Sequence, residues 1–293
     1  MINERKKALL SIISANVIFG LNIPVTKSLI TNWMTPIGYM ITRMLFGIFV
    51  FWAISLFSSK EKVVGRDMAI IAVAGLLGFV ATQFTFAYSL KFTTPVNYSL
   101  LMALTPVIVL LLSAIFLKEN ITLRKVMGIV LSFSGASLII LKNKNGSTGP
   151  NHLLGIFFAI LCALCYAVYL VITRKISAKY NPITVVKWMF LFSALVLLPF
   201  GSELFDQKIY SPGSSITAYL LLGFALLFST TLAFFLLPVA LKRLTAGTVS
   251  IFMNLQPLVA SAVAIFVGQD IFSWEKPLAA ILVVAGVCLV TIK

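Results

Sequence analysis

Apolar stretches long enough to cross a membrane follow one another along almost the whole of this 293-residue chain. Of its residues, 60% are hydrophobic and 11% are charged, whereas about a quarter of the residues of a soluble domain are charged. A helix needs about 20 mostly apolar residues to cross a bilayer, and in lipid its backbone polar groups must be hydrogen-bonded within the protein. The sequence therefore predicts an all-α integral membrane protein.

We predict ten transmembrane helices, separated by short polar connections. The expected spans are residues 8–27, 36–57, 68–88, 95–117, 124–141, 153–173, 183–200, 216–238, 246–267 and 275–292. The longest polar stretches, around 142–152 and 201–215, are interpreted as loops, so no soluble domain is expected. Cys162, Cys165 and Cys288 lie in apolar stretches, which favours buried thiols over a disulfide or a metal site. No cofactor is expected.

The distribution of Lys and Arg predicts the orientation of the spans. One set of flanks carries 16 basic residues and the opposite set carries 6, with Arg43 left inside a span. Because cytoplasmic loops collect Lys and Arg, we expect both termini in the cytoplasm of a cell with a bacterial-type plasma membrane. The same rule accounts for the net charge of +15, so a nucleic-acid partner is not expected.

The chain repeats its own pattern at an offset of 151 residues. Matched pairs include Ser99 and Ser250, Met102 and Met253, Pro106 and Pro257, and Gly135 and Gly286. The prolines carry most weight, because a helix interior normally excludes proline. We predict two five-helix repeats, residues 1–145 and 146–293, which together form one transmembrane domain. Since five crossings is an odd number, the repeats are expected to be inverted, an arrangement typical of secondary transporters.

Several short motifs lie within the predicted spans or at their ends. They are Leu104-Thr105-Pro106, Leu255-Gln256-Pro257, Leu117-Lys118-Glu119, Gly128 with Gly135, Phe19-Gly20, and Pro36 followed by Arg43. In this order they resemble the drug/metabolite transporter superfamily, in particular its EamA-type exporters, over essentially the whole chain. The resemblance implies two inverted five-helix repeats around a central cavity, and export or exchange of small metabolites, often amino acids, by alternating access. Gly268-Gln269-Asp270 and Ala279 depart from the usual pattern.

Polar and aromatic residues within the spans predict where a central cavity lies, because polar groups in hydrocarbon must face protein or water. They are concentrated in spans one, three, four, six, eight and nine, and spans five and ten are expected at the periphery. The candidate cavity residues are Asn22, Gln83, Tyr98, Met102, Thr105, Tyr166, Tyr169, Asn254 and Gln256. Packing between helices is the alternative interpretation for each of them.

Three further residues are candidates for the transport mechanism. Pro106 and Pro257 each deprive a backbone carbonyl of its helical donor near mid-membrane, which suggests paired hinges or gates. A static kink that serves packing is the alternative. Arg43 is a possible anchor for a substrate carboxylate, and its alternatives are pairing with backbone carbonyls or extension toward the nearer membrane face.

The expected function is secondary transport of a small uncharged or zwitterionic metabolite, such as an amino acid, and not catalysis. A nucleotide-sugar or triose-phosphate antiporter is the runner-up, but it needs several cations in the cavity, where Arg43 is the only candidate. An intramembrane enzyme needs acids, bases or metal ligands inside the bilayer, whereas all eight carboxylates lie in loops or at span ends. The expected partners are the solute and the lipid bilayer, and the protein is expected to be a monomer or a homodimer.

Overall fold

The computed structural model describes residues 2–58, 61–93, 98, 101–142, 151–211, 214–266 and 274–291. Within these ranges the chain forms helices and short turns and contains no strand. The helices, numbered in chain order, are α1 (Ile2–Asn32), α2 (Pro36–Leu56), α3 (Gly65–Phe92), α4 (Thr105–Leu117), α5 (Leu123–Lys142), α6 (His152–Lys179), α7 (Pro182–Leu197), α8 (Ile216–Arg243), α9 (246–266) and α10 (Glu275–Thr291).

Among the residues that the structure describes, six helical stretches are long and apolar enough to cross a membrane. They are Glu4–Asn32, Pro36–Leu56, Gly65–Phe92, Leu153–Lys179, Pro182–Leu204 and Ile216–Arg243, and the shorter stretches Thr105–Leu117 and Ala246–Ala260 are also apolar. The chain is therefore a multi-pass membrane protein. The start of the predicted span at residue 95, most of the loop at 142–152 and the segment 268–270 lie outside the described residues.

Several helices are longer than their apolar stretches. Helix α1 begins at Ile2, six residues before the predicted span, because its charged first turns remain helical beyond the apolar part. Glu4 lies 3.4 Å from Lys7 and 3.6 Å from Arg243 at the end of α8.

Helix starts are set by polar caps and by proline in the first turn. The capping side chains are Thr35 before α2, Asn181 before α7, Ser215 before α8 and Thr245 before α9.

The middles of α3 and α8 each contain a π-helical segment, which hydropathy does not reveal. The segments are Leu76–Ala81 and Ala225–Ala233. Thr82 and Thr230 each donate a hydroxyl hydrogen bond to the carbonyl five residues earlier, at 2.7 and 2.8 Å. The offset of 151 residues carries the first segment onto residues 227–232, inside the second. π-Helical segments are rare and are frequent at functional sites.

Helix interruptions precede both candidate hinge prolines. Ala103 and Leu104 form a turn before α4, and Phe252–Asn254 form a 3-10 turn within α9. Pro106 and Pro257 consequently lie in the first turn of the helical segment that follows, where a missing N–H has little cost. The structure thus differs from the expected continuous helices with an internal proline.

Helix α1 packs centrally against α3, α8 and α9, whereas α5 and α10 form a close pair of their own. A Cβ atom added to Gly286 of α10 would lie 2.5 Å from the carbonyl oxygen of Gly128 in α5. The glycines let the two backbones approach, as small residues commonly do between membrane helices. No described residue of α5 or α10 lines the central cavity.

Candidate functional site

A small cavity of about 50 Å³ lies at the centre of the bundle. Its lining residues are Phe19, Asn22, Ile23, Arg43, Thr82, Gln83, Phe86, Tyr98, Met102, Tyr166, Ser229, Phe234, Met253 and Gln256. A single water needs at least 10–15 Å³, whereas sites that enclose a metabolite measure roughly 300–1,000 Å³. As it stands, the cavity has room for a few water molecules and not for a metabolite.

Arg43 of α2 brings a positive charge to this cavity. Its side chain is 1% exposed, and its Nε donates to Thr230 Oγ1 at 2.7 Å. One terminal nitrogen donates to Ser229 Oγ at 3.1 Å, and the other donates to Gln83 Oε1. These partners are neutral, and no carboxylate accompanies the guanidinium in the described part of the chain. An ionised side chain at this depth is costly and typically marks a substrate or ion route.

The guanidinium is also flanked by aromatic rings. Its central carbon lies 5.3 Å from the ring centroid of Tyr39 and 5.7 Å from that of Phe234. Such cation–π contacts stabilise a desolvated cation by about 2 kcal/mol. The rings and the neutral hydrogen-bond acceptors hold Arg43 in place and leave its charge uncompensated.

Two chains of hydrogen bonds hold the amides around the cavity. Asn22 Nδ2 donates to Thr26 Oγ1 at 3.0 Å, and that hydroxyl lies 2.9 Å from the hydroxyl of Tyr39. Gln256 Nε2 donates to Asn16 Oδ1 at 2.9 Å. The second bond joins α9 to α1 across the two halves of the chain, so it couples the cavity wall to both.

Tyr98 and Cys162 form a third contact at the cavity wall. The Tyr98 hydroxyl lies 3.6 Å from Cys162 Sγ, and that thiol donates to the backbone carbonyl of Thr82 at 3.4 Å. Cys162 is buried, as expected from its apolar stretch, but Cys165 is only half-buried and Cys288 is exposed, so the expectation of three buried thiols was wrong for these two. The arrangement links α3 and α6 to Tyr98, which precedes α4 in the chain.

An aromatic cluster fills the space on one side of the cavity. It consists of Phe79, Tyr169, Phe190 and Phe234 from α3, α6, α7 and α8, all of them almost fully buried. The Phe79 ring centroid lies 4.3 Å from Phe234, 4.6 Å from Phe190 and 6.0 Å from Tyr169. The cluster lies toward the start of α3 and the end of α6, so it separates the cavity from that end of the molecule.

That end is rich in Lys and Arg, and we call it the basic end. It contains the start of α3 and the ends of α4 and α6, with Arg66, Lys118, Lys175 and Lys179 around a crevice. Here Glu119, after α4, accepts a hydrogen bond from the backbone N–H of Ala246 at 3.1 Å. Lys125 lies 3.4 Å from the same carboxylate. Glu119 thereby connects the two halves at the basic end.

The structure brings most of the predicted cavity residues together. Asn22, Arg43, Gln83, Tyr98, Met102, Tyr166 and Gln256 line the cavity, whereas Thr105, Tyr169 and Asn254 lie outside its lining. Tyr169 belongs to the aromatic cluster. Thr105 and Asn254 are buried, and their side-chain polar atoms have no hydrogen-bond partner among the residues that the structure describes.

Several apolar lining residues were not among the sequence candidates, because an apolar side chain in an apolar span carries no distinguishing signal. They are Phe19, Ile23, Phe86, Phe234 and Met253. The internal repeat contained a clue for one of them, since Met253 is the counterpart of the candidate Met102. Helix α2 also reaches the cavity, through Arg43, although it was not among the predicted lining spans.

Comparison with known proteins identifies the family. Residues 6–141 and 153–292 each match the EamA-like transporter family. The uncharacterized transporter YyaM of Bacillus subtilis is 27% identical over 78% of this chain and 74% of its own. A probable terminal-alkyne amino-acid exporter of Streptantibioticus cattleyicolor is 26% identical over 77% and 73%. The aromatic amino acid exporter YddG of Ancylobacter novellus is 24% identical over 75% of both chains.

A crystal structure with 19% sequence identity matches over 96% of both chains with a TM-score of 0.74, which shows a shared fold. The family model covers both halves of the sequence and leaves little outside it. The chain belongs to the EamA-like transporter family.

Proposed function

We propose that this transporter exports or exchanges a small metabolite, an amino acid with an apolar side chain, across the plasma membrane by alternating access. The observation that carries the proposal is Arg43, a buried cation in the central cavity whose described partners are all neutral. A solute carboxylate supplies the missing counter-charge. Arginine binds carboxylates through paired, charge-assisted hydrogen bonds, which are stronger than those between neutral groups.

The other lining residues can accommodate the side chain and the ammonium group of such a solute. Phe19, Ile23, Phe86 and Met253 offer apolar surface to a side chain, while the amides of Asn22 and Gln256 can bind an ammonium or other polar group. Asn22 Oδ1 has no hydrogen-bond partner among the described residues, so this acceptor is available. Two relatives, named as a probable terminal-alkyne amino-acid exporter and an aromatic amino acid exporter, agree with this solute class.

Alternating access is proposed to use two inverted five-helix halves, residues 1–145 and 146–293, with ten spans and both termini in the cytoplasm. The matching π-helical segments of α3 and α8 support this arrangement, as do the matching interruptions before Pro106 and Pro257. So does the clustering of the start of α3 and the ends of α4 and α6 at one basic end.

The same lining argues against a sugar-phosphate or nucleotide substrate. A phosphate or diphosphate group carries more negative charge than one guanidinium compensates, and Arg43 is the one cation among the described lining residues. Catalysis inside the bilayer is not supported either, because the described lining offers no carboxylate, His or metal-ligand set.

A counterflow screen in proteoliposomes tests the proposal. Vesicles loaded with one of a panel of amino acids, amines, sugars and sugar phosphates are diluted into a trace of the labelled compound, with and without a pH gradient. We expect exchange of apolar amino acids in both conditions. Exchange of sugar phosphates without amino-acid exchange would reject the proposed solute class.

A further inference from the structure

We propose that an apolar groove on the outer surface of α3, α4 and α6 binds an anionic phospholipid, with the acyl chain in the groove and the phosphodiester at the basic end. The groove has a volume of about 480 Å³. The apolar side chains that face it include Ile70 and Val73 of α3, Leu112 and Phe116 of α4, and Val168 and Ile172 of α6. We call it the lipid groove.

The lipid groove follows the helices along their length. On α3 its residues are spaced as Arg66, Ile70 and Val73, and on α6 as Val168, Ile172 and Lys175, which places each set on one helical face. The groove therefore runs parallel to the helices, which is the direction that an acyl chain takes in a bilayer. Val73 and Phe116 are 47% and 61% exposed, so hydrocarbon chains in the membrane can reach it from the side.

One end of the lipid groove is basic. Arg66 and Lys175 line the groove and also a neighbouring crevice of about 750 Å³, to which Lys118 and Arg174 contribute. An apolar channel that opens directly onto four cations matches the two parts of an anionic phospholipid. A water-soluble metabolite has no long apolar chain that could occupy the apolar part.

With Lys179, the described lining of the crevice holds five cations against two carboxylates, Asp67 and Glu119, so its net charge is positive. Asp67 accepts hydrogen bonds from Lys179 at 3.1 Å and from the Tyr180 hydroxyl at 2.8 Å. Glu119 is bound by Ala246 N–H and lies beside Lys125. The positive field at the mouth of the groove therefore persists, and basic pockets between helices at the cytoplasmic surface are known to bind anionic headgroups.

Lipid titration of the purified full-length protein in detergent, followed by native mass spectrometry, tests this proposal. The probes are phosphatidylglycerol and phosphatidylcholine with identical acyl chains. The test variants are R66Q/K175Q, which removes two cations from the mouth, and A69W, which places a bulky ring in the groove where Ala69 lies. The matched control, K6Q/K62Q, removes two exposed cations that do not line the groove or the crevice.

We expect the wild-type protein and the control to prefer phosphatidylglycerol. R66Q/K175Q should bind it about 20- to 30-fold more weakly, since each basic residue near an anionic lipid contributes a factor of about five. A69W should bind both lipids more weakly while eluting as the same monodisperse species. Equal binding of the two lipids by the wild type, or unchanged binding by either test variant, would overturn the proposal. The proposal would also be overturned if the wild-type protein formed a dimer that the A69W substitution dissociated and added lipid did not. In that case the groove would bind a second copy of the chain.

Discussion

Phe79 of α3 and Phe234 of α8 meet at the centre of the bundle with ring centroids 4.3 Å apart and planes tilted by 59°. Phe79 lies within one π-helical segment, and Phe234 directly follows the other. The contact therefore joins the two irregular parts of α3 and α8. Because π-helical segments are frequent at functional sites, we predict that this pair separates in the proposed transport cycle.

Substituting Phe79 with Ala should weaken the barrier between the cavity and the basic end. The change removes the ring that contacts Phe190 and Phe234, and about 3–5 kcal/mol of folding free energy is commonly lost with such a side chain. We predict a several-fold rise in downhill efflux without counter-solute from proteoliposomes. F224A, which removes a ring stacked on Phe228 away from the cavity, is the control, and an equal rise there would contradict the prediction.

Replacing Asn254 with Leu should raise the thermal stability of the protein and lower its transport rate. Both polar atoms of the Asn254 side chain are buried without described partners, and such a group typically costs about 1–3 kcal/mol. Differential scanning fluorimetry and counterflow measure the two effects. Asn16 is the matched control, because its amide is bonded to Ile12 O and Gln256 and N16L should destabilise. A less stable N254L variant would show that the amide is satisfied.

Substituting Pro257 with Ala should slow transport several-fold without reducing the amount of protein in the membrane. Proline at this position keeps the helix interrupted at Phe252–Asn254, and Ala would allow the two parts of α9 to join. P106A should behave alike, whereas P182A, at the start of α7, should not affect the rate. Normal exchange by both P106A and P257A would leave these prolines with a packing role.

Substituting Glu119 with Gln should favour opening at the basic end, because it removes a charge-assisted hydrogen bond between the halves. The reporter is a G247C substitution, since a Cβ atom at Gly247 would lie 3.6 Å from the Glu119 carboxylate. We predict several-fold faster maleimide labelling of this thiol in E119Q/G247C than in G247C alone. E61Q/G247C is the control, because Glu61 bonds Asn181 N–H at the same end. Slower labelling in E119Q/G247C would mean that Glu119 holds the open form.

The apolar stretches determine the helices well, because hydrocarbon forces each into an internally bonded helix. They do not determine helix rotation. Tyr98, Met102 and Thr105 share a face only if the helix is continuous, and the turn at Ala103–Leu104 takes Thr105 out of the cavity lining. Tyr169, three residues after Tyr166, packs instead on Phe79.

Arg43 was identifiable from the sequence because a charge inside a span is conspicuous. Its neutral partners were not, since Thr230 and Ser229 come from a distant helix and their positions depend on the π-helical segment of α8. The extra residue of a π-helical turn does not change the hydropathy profile, so the sequence does not reveal it. The neutral surroundings of Arg43 therefore depend on long-range packing, which the hydropathy pattern does not encode.

Counterflow of labelled phenylalanine against the same amino acid, its amide and 2-phenylethylamine tests the central role of Arg43 most directly. The amide and the amine keep the ring and lack the carboxylate. We predict that only the amino acid exchanges, and that R43Q lowers this exchange about 100-fold while R243Q, at an exposed site on the basic end, does not. Equal exchange of the amide by the wild type, or undiminished amino-acid exchange by R43Q, would contradict the account.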